Sequence, residues 1–386
     1  MLSIISALAL LIWIVLFFLW GDFWRLWEFS SDHQQIPAPS QWPRVAAIIP
    51  ARNEVASIAS VVQSLALQDY PGELTTIIVD DHSGDATVEI ARRAAAEAGA
   101  ENRIRTMQAP TLEAGWTGKV WAQNTGIVSA AITSPDFFWF TDADIVHPPD
   151  TLRRLVSRAE NNRLDLTSLM VLLPSETFAE RLLIPPFVYF FLMLYPSRWI
   201  ADRSAKTAGA AGGCMLLRRS ALERIGSLSA IRSEVIDDCA LAHAVKRSGG
   251  PIWLGLTHSS RSLRSYTTFS EIRDMIARTA FTQLNYSTLL LLLTLVGMFL
   301  AYLAPVILTF SPNIQVWPFA LAAWCLMTAS FLPTVSFYNL RPFWAPLLPL
   351  AAIFYIYSTL LSAMRYWLGR GGQWKGRVQA KRSAGP

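Results

Sequence analysis

Charged residues and cysteines are scarce in this 386-residue chain. Lys, Arg, Asp and Glu make up 16% of the sequence and hydrophobic residues 52%, a balance too apolar for an ordinary soluble protein of this length. The cysteines Cys214, Cys239 and Cys325 are widely spaced, which excludes a disulfide framework and CxxC-type metal or redox motifs. The composition therefore predicts a membrane protein whose main domain lies in the cytoplasm.

Long apolar runs lie at both ends of the chain. Residues 2–20 are long enough to cross a hydrocarbon core, which needs about 20 residues. No Lys or Arg precedes this run and no small-residue cleavage site follows it, so we expect a retained N-terminal anchor over residues 1–21 rather than a signal peptide. Three further runs, ending in interfacial Trp and Tyr, lie at about residues 285–310, 316–337 and 343–364.

These runs divide the chain into regions. A Ser-, Gln- and Pro-rich linker over 22–43 leads into a domain of mixed composition over 44–267, which is large enough for one α/β domain. A membrane domain with about three hydrophobic segments is expected over 285–365, and a basic tail over 366–386.

The net charge of +5 comes from one end of the chain. Six basic residues and no acidic residue follow the last apolar run, and they are Arg365, Arg370, Lys375, Arg377, Lys381 and Arg382. They account for more than the whole net charge, so the basic character indicates no nucleic-acid partner. A basic segment beside a membrane instead favours anionic lipid headgroups and the cytoplasmic side.

The side of the membrane on which this tail lies is left open by the sequence. If the main domain is cytoplasmic, three full crossings after it would put the tail outside, against the positive-inside rule. Either one of the Pro-containing runs is re-entrant or interfacial, or the tail is an exception.

The middle region alternates between strand and helix patterns, which is typical of a doubly wound sheet. The predicted strands and helices lie, in order, at residues 45–49, 54–67, 75–79 and 85–98. Polar residues follow each strand, and in such sheets ligands bind outside the carboxyl ends of the strands.

Pairs of carboxylates occur at three places where a strand ends or a helix begins. The pairs are Asp80 with Asp81, Asp142 with Asp144, and Asp237 with Asp238. Asp142 and Asp144 follow a buried strand at 137–141 and would share a Mg²⁺ or Mn²⁺ with a nucleotide diphosphate. Each pair alone is also typical of a turn or a helix start. The three together favour an active site.

Two glycine-rich segments lie between these carboxylates. The first, over 115–119, ends in Lys119 at the start of a helix predicted at 120–131, where the ammonium would meet a phosphate or a carboxylate. It lacks the spacing of a Walker loop. The second, over 209–214, suits a strand close to a sugar, and equally a small-residue strand packed under a helix.

With these motifs in this order, the chain resembles the inverting family 2 glycosyltransferases of the GT-A fold. Within them it is similar to a membrane-bound branch, the hopene-associated glycosyltransferases found beside hopanoid biosynthesis genes. The resemblance covers essentially the whole chain. It implies an α/β GT-A domain with a Rossmann-like, mostly parallel sheet, an N-terminal transmembrane helix and C-terminal transmembrane helices. It also implies an integral protein of the bacterial inner membrane.

The resemblance assigns roles to particular residues. The donor is expected to be a UDP-linked sugar, whose nucleotide would be held by Pro50, Arg52, Glu54, Asp80, Asp81 and Lys119. Asp142 and Asp144 would hold the divalent cation and the diphosphate. Asp238 would be the general base, and Asp237 would replace the first acid of the family's Glu-Asp pair, shortened by one methylene.

An amphipathic interfacial helix is expected over 268–284, with Phe269, Ile272 and Ile276 on its apolar side. Membrane-bound relatives often carry a Gln/Arg-x-x-Arg-Trp motif here, of which this chain keeps only Arg278. Arg278 would clamp the leaving diphosphate, or equally pair with Asp274. The loss of the full motif favours a single transfer over processive synthesis. Residues 182–200 suggest a second interfacial element, with a buried domain helix as the alternative.

The function expected from the sequence is metal-dependent, inverting transfer of a sugar to a membrane lipid in the bilayer, with a hopanoid among the candidate acceptors. Polyprenyl phosphate and glycerolipid- or sphingolipid-type alcohols are alternatives within the same class. A membrane scaffold with a decayed transferase domain is an alternative from another class. A transporter is disfavoured because the terminal apolar runs lack internal charge.

Overall fold

The computed structural model describes residues 1–26, 30, 36–369, 373–374 and 377–378. The chain divides into two compact units. The helical unit contains Met1–Glu28, Pro174–Arg198 and Tyr266–Gly372, and the sheet unit contains Phe29–Leu173, Trp199–Ser265 and Gln373–Pro386. The predicted basic tail over 366–386 lies largely outside the described residues.

A mixed β-sheet forms the core of the sheet unit. Strands β1 to β8 span Val45–Ala51, Leu74–Asp80, Ile104–Gln108, Phe137–Thr141, Ile145–Val146, Leu166–Leu172, Cys214–Arg218 and Ile252–Ser262. Their order across the sheet is β3-β2-β1-β4-β7-β6-β8-β5. Strand pairs β1–β2, β1–β4, β2–β3 and β6–β8 are parallel, whereas β4–β7, β6–β7 and β5–β8 are antiparallel. The expected α/β fold with a mostly parallel sheet is confirmed. A separate pair, β9 and β10, spans Gln373–Trp374 and Arg377–Val378.

Fourteen α-helices occur in the described residues. Helices α1 to α14 span Leu2–Phe18, Ile58–Ala66, Thr87–Glu97, Gly118–Ala130, Thr151–Asn161, Phe178–Leu194, Ser197–Ala201, Arg219–Arg224, Asp237–Arg247, Phe269–Gln283, Thr288–Met298, Ala304–Thr309, Trp317–Phe337 and Leu348–Trp367. Short 3-10 helices span Ala131–Thr133, Leu228–Ile231 and Pro342–Leu347, and a π-helical turn at Phe299–Leu303 joins α11 to α12.

The parallel half of the sheet brings the predicted strand ends together. All seven residues of β1 are buried, as expected for a strand covered on both faces. Ala51 at the end of β1 lies opposite Asp80 at the end of β2, and the amide of Asp81 extends the pairing to the Ala51 carbonyl at 2.8 Å. The carboxyl edge of these strands is therefore a place where several polar loops meet.

Helix α4 lies close against β1 and β2 because of one glycine. A Cβ added at Gly126 would lie 2.5 Å from Ile48 Cγ2 and 3.2 Å from Val79 Cγ2, so a larger residue would push the helix away from the sheet. The position of α4 matters because its first turn carries Lys119.

The helical unit contains three helices that are long and apolar enough to cross a membrane: Thr288–Thr309, Trp317–Phe337 and Pro342–Trp367. The N-terminal helix α1 is shorter, with 17 residues. Within the unit, α1 contacts the turn that joins α11 to α12: the Trp13 indole donates a hydrogen bond to the Ala301 carbonyl at 2.6 Å.

Helix α6 departs from the sequence expectation. It groups with the helical unit and so interrupts the continuous domain expected over 44–267. Most of its residues are buried, although Pro185 and Pro186 lie inside it and cannot donate intrahelical hydrogen bonds. Tyr355 on α14 donates to the Leu183 carbonyl at 2.9 Å, which joins α6 to α14 within the helical unit. The element expected at 182–200 is therefore mainly a packed helix.

Helix α10 forms close to its predicted bounds, but its apolar side differs. Ile272, Ile276, Ala277 and Phe281 are buried, whereas Phe269 is 44% exposed. The Phe281 amide donates to Ser362 on α14 at 3.0 Å. The apolar side of α10 is thus turned toward α14, which the sequence pattern alone did not reveal.

Candidate active site

The aspartates Asp142 and Asp144 lie on a tight turn directly after β4. The Ile145 amide donates to the Asp142 carbonyl at 3.2 Å, and the Leu263 amide donates to the Asp144 carbonyl at 2.7 Å. The buried Ala143 between them offers its carbonyl to the Ser57 hydroxyl at 2.9 Å. Backbone contacts on three sides therefore fix this turn, and both aspartates remain partly exposed.

A buried histidine holds the strand that leads into this turn. Thr141 donates to the Gly213 carbonyl at 2.9 Å, and its hydroxyl lies 2.8 Å from His147 Nε2, so His147 donates through Nε2. His147 Nδ1 then accepts from Ser260 at 2.8 Å. Burial lowers the pKa of His147 to about 3, so the ring stays neutral and serves as a structural link.

Lys119 joins the turn that carries Asp142 and Asp144 to the third acidic pair, Asp237 and Asp238. Its ammonium lies 2.9 Å from Asp142 Oδ1 and 3.4 Å from Asp237 Oδ2. Burial alone would lower the pKa of Lys119, but the charges of Asp142, Asp237 and Asp238 raise it well above its usual value. Lys119 is therefore a permanent cation within an excess of carboxylates.

Asp237 is held by the same helix that carries Lys119. The Gln123 amide lies one turn after Lys119 on α4 and donates to Asp237 Oδ2 at 3.5 Å. Asp237 and Asp238 form the first turn of α9, where the helix dipole favours negative charge. Sequence reasoning missed Gln123. Its spacing of four residues from Lys119 could have identified it, because residues four apart lie on the same face of a helix.

Asp238 is positioned by backbone amides. Its Oδ2 accepts from the Gly212 amide at 2.8 Å and its Oδ1 accepts from the Cys239 amide at 2.7 Å. Burial and the charge of Asp237 raise the pKa of Asp238 to about 6, against the opposing charge of Lys119. A carboxylate tuned in this way is ionised at pH 7 yet basic enough to accept a proton.

Gly212 lies where a larger residue would crowd the cluster. A Cβ at this position would lie 3.2 Å from both Asp238 Oδ2 and Lys119 Nζ. The segment before Cys214 is irregular rather than the strand suggested for 209–214, and β7 begins only at Cys214. Because β7 is antiparallel to β4, Cys214 lies opposite Thr141, which brings Gly212 toward the acidic turn.

The loop before α4 is shaped by Gly115 and by a distant carbonyl. Gly115 has a φ of +85°, which glycine adopts without strain. The Thr117 amide donates to the Arg232 carbonyl at 2.8 Å, and the rings of Trp116 and Trp121 pack edge to face at 5.2 Å. These contacts set the start of α4 and hence the position of Lys119.

The predicted nucleotide residues meet at the ends of β1 and β2. Arg52 Nη1 lies 3.6 Å from Asp81 Oδ2 and also donates to the Asp81 and His82 carbonyls. Asp80 accepts from the Ser83 amide at 3.2 Å, and the Glu54 amide donates to Thr87 at 2.8 Å. Pro50 belongs to β1, which continues through Ala51, whereas the sequence predicts that the strand ends at residue 49. Asp81 is fully buried, whereas Arg52 and Glu54 are partly exposed.

Arg278 belongs to the helical unit, on an exposed position of α10. The alternative partner of Arg278 in the sequence is Asp274, one turn earlier on the same helix. Asp274 pairs with Arg365 at 2.7 Å and with Arg273 at 3.0 Å, because α14 lies alongside α10.

A divalent cation fits the chemistry of the acidic turn. The cluster contains three carboxylates around one ammonium, Asp142, Asp237 and Asp238 around Lys119, so it carries excess negative charge. The oxygen donors of Asp142 and Asp144 are those that Mg²⁺ and Mn²⁺ prefer. Among the described residues no group of three or more acidic, His or Cys side chains is arranged to hold a metal ion by itself. A bound cation would therefore complete its coordination with diphosphate and water.

Comparison with solved structures supports the fold. A mannosyltransferase from Pyrobaculum calidifontis, solved in complex with GDP-Man and Mn²⁺, aligns with a TM-score of 0.57 and 17% identity. The alignment covers 96% of this chain and 100% of that chain.

Two curated relatives match part of the chain. An N-acetylglucosaminyltransferase from Mesorhizobium japonicum is 28% identical over 191 residues, which is 48% of this chain and 42% of that protein. A beta-monoglucosyldiacylglycerol synthase from Synechocystis sp. is 30% identical over 141 residues, or 33% of this chain and 24% of that protein. The chain thus aligns with less than half the length of either relative.

Family models match both halves of the chain. The model for glycosyl transferase family 2 matches residues 46–226, which include Asp80, Asp81, Lys119, Asp142 and Asp144. The model for glycosyl transferase family group 2 matches residues 138–357, from β4 through much of the helical unit. The second match spans more than half of the chain, and the protein belongs to the glycosyl transferase family group 2.

Proposed function

We propose that this protein transfers a sugar from a UDP-linked nucleotide-sugar donor to a membrane lipid with inversion at the anomeric carbon. The proposal rests on the position and the raised pKa of Asp238. Its carboxylate has a pKa raised to about 6 and is held by two backbone amides, in one cluster with Lys119 and the acidic turn.

Asp238 supplies the base in this mechanism. Its carboxylate takes the proton of the acceptor hydroxyl as the hydroxyl oxygen attacks the anomeric carbon. The new carbon–oxygen bond forms as the bond from the anomeric carbon to the phosphate oxygen breaks, and the electron pair leaves with the nucleoside diphosphate. A single in-line displacement inverts the configuration.

The charge on the departing diphosphate would be met by Lys119 and by a cation on Asp142 and Asp144. When bound, a divalent cation supplies electrostatic stabilisation of the leaving group. Lys119 lies 2.9 Å from Asp142, so its ammonium would also reach a phosphate group placed beside that carboxylate. The Mn²⁺ and GDP-Man bound to the mannosyltransferase of the same fold support this assignment.

Asp237 is assigned a positioning role. Lys119 and Gln123 both contact its Oδ2, and its charge helps to raise the pKa of Asp238. Pro50, Arg52, Glu54, Asp80 and Asp81 are proposed to shape the nucleoside pocket at the ends of β1 and β2. Arg278 remains a proposed diphosphate clamp on the evidence of the sequence resemblance alone.

A lipid is the proposed acceptor. The name of the Synechocystis relative includes a glycosylated diacylglycerol, and this chain contains three helices suited to a bilayer. A glycerolipid and a hopanoid are the acceptors to test first, the hopanoid on the resemblance of the sequence. The ordered contacts of Asp238 and Lys119 are those of a working site, which disfavours a decayed scaffold.

The proposal is tested by sugar transfer in vitro. Purified protein is incubated with native membrane lipids and a panel of radiolabelled nucleotide sugars, with Mn²⁺, with Mg²⁺ or with EDTA. We expect label in the lipid extract with at least one donor and only when a divalent cation is present. No transfer from any donor in the panel would contradict an enzymatic function.

A further inference from the structure

The helical unit has two ends that can be told apart by contacts within it. At one end, here called the loop end, residues 310–316 join α12 to α13, and a cluster of Ala304, Leu308, Val316 and Ala320 packs with Ile5 of α1. At the other, here called the α10 end, α10 finishes and α11 begins. The contact of Trp13 with Ala301 shows that α1 runs from the loop end toward the middle of the α11–α12 segment.

Helix α14 finishes at the α10 end. The rings of Tyr286 and Tyr366 stack at 4.3 Å, just before the first residue of α11. Phe281, Leu291 and Ala363 form one buried cluster. The last turns of α14 therefore lie beside the first turns of α11.

Helix α14 begins far from that end. The Trp324 indole donates to the Pro346 carbonyl at 3.3 Å, and Trp324 lies in the first half of α13. From Trp324 to the end of α13 at Phe337 the helix rises about 20 Å, at about 1.5 Å per residue. The chain after Phe337 therefore doubles back along α13 before α14 starts.

We propose that residues 338–367 form a re-entrant hairpin instead of a third crossing. The chain leaves α13 at the α10 end, returns toward the loop end through the 3-10 helix Pro342–Leu347, and comes back through α14. Both ends of the hairpin are then on one side of the membrane. The basic tail emerges on the side of α10, although Pro342–Trp367 is long enough to span.

The buried state of the returning segment fits this arrangement. Irregular backbone at membrane depth is tolerated where protein covers it. Trp344 is 9% exposed, Ala345 is fully buried and Leu348 is 1% exposed, so the middle of the 3-10 helix and its exit are covered within the helical unit, whereas Phe343 is 55% exposed.

The distribution of basic residues agrees independently. The loop over 310–316 contains no Lys or Arg. Arg273, Arg278 and Arg341 lie on α10 or directly after α13, and Arg365 pairs with Asp274 of α10. With a re-entrant hairpin all of these and the tail lie on one side, as the positive-inside rule requires. The tail would then face the anionic headgroups of that leaflet. A third full crossing would place Arg365 and the tail on the side opposite Arg341.

The proposal is tested by cysteine labelling from one side of the membrane. Single reporters are introduced by Ser270→Cys on α10, Gln315→Cys in the loop and Ser383→Cys in the tail, each in a Cys325→Ala background. Cys214 and Cys239 are buried, and the background variant sets the blank. Spheroplasts are treated with a membrane-impermeant maleimide before and after permeabilisation.

We expect Ser270→Cys and Ser383→Cys to label under the same condition and Gln315→Cys under the other. Labelling of Ser383→Cys together with Gln315→Cys would overturn the hairpin, as would labelling of the tail reporter from both sides. Equal protein levels and retained sugar transfer in each variant guard against misfolding. The outcome is independent of the proposed chemistry, since labelling needs no activity.

Discussion

An Asp238→Asn variant is expected to lose roughly 10²- to 10⁴-fold in kcat, the usual contribution of a positioned general base. Asparagine keeps the size of the side chain but cannot take the proton of the acceptor hydroxyl. Donor affinity should change only a few-fold, because the proposed nucleotide contacts lie at the ends of β1 and β2. The measurements are steady-state kinetics of sugar transfer and calorimetric binding of the nucleoside diphosphate.

The matched control is Asp69→Asn, which alters a half-exposed aspartate paired with Arg153 at 3.2 Å, away from the acidic cluster. It should transfer sugar at the wild-type rate. Asp238→Asn also loses one of two backbone hydrogen-bond acceptors, so its thermal unfolding is measured alongside. Normal turnover by a folded Asp238→Asn protein would remove Asp238 as the base.

The pH profile of the wild-type protein follows from the same residue. The pKa of Asp238 is raised to about 6, and the base works only when deprotonated. We therefore expect kcat/KM to be level above pH 7 and to fall tenfold per pH unit below about pH 6. In Asp238→Asn this acid limb should disappear from the residual activity. A wild-type limb unchanged by the substitution would assign the titration to another group.

The second large effect is expected for Asp144→Ala. Loss even of an outer partner of a metal ligand typically costs about 10- to 100-fold in affinity, so loss of a direct ligand should cost at least about 100-fold. The Mn²⁺ concentration for half-maximal transfer should rise accordingly, and Mn²⁺ binding in the presence of nucleoside diphosphate should weaken in parallel. Binding is followed by the paramagnetic resonance signal of free Mn²⁺.

Asp150→Ala is the control for this substitution. Asp150 lies six residues further along the chain and pairs with Arg154 at 3.5 Å, outside the acidic cluster. Its Mn²⁺ dependence should match that of the wild type. If Asp144→Ala kept the wild-type Mn²⁺ dependence and affinity, the assignment of the metal site would be wrong.

Much of the fold follows from local pattern. The apolar run into Asp80 and the run from Phe137 to Thr141 have the length and residue types of buried strands, and both strands form as expected. The two carboxylates after β4 could also be placed, because parallel strands end at a common edge. Helix starts were less well predicted: α2 begins at Ile58 rather than near Glu54, whose backbone is held by Thr87.

The assembly of the site depended on contacts between distant segments. Lys119 was expected to meet a phosphate or a carboxylate, but its choice of Asp142 and Asp237 follows from the close packing of α4 on β1 at Gly126. The role of Gly212 depends on the antiparallel pairing of β7 with β4. No local pattern contains either fact.

The helical unit illustrates the same limit. Hydropathy gives the length and apolar character of Pro342–Trp367 but not its direction, which depends on contacts at its two ends. Likewise, α6 reads as an interrupted apolar segment until its packing within the helical unit is known.

Displacement of the nucleotide by an acceptor oxygen that Asp238 activates determines the anomeric configuration of the product. The glycolipid formed from an α-linked nucleotide sugar is purified, and the one-bond carbon–hydrogen coupling at its anomeric carbon is measured by NMR. A single in-line displacement should give a β-linked sugar. An α-linked product would contradict it.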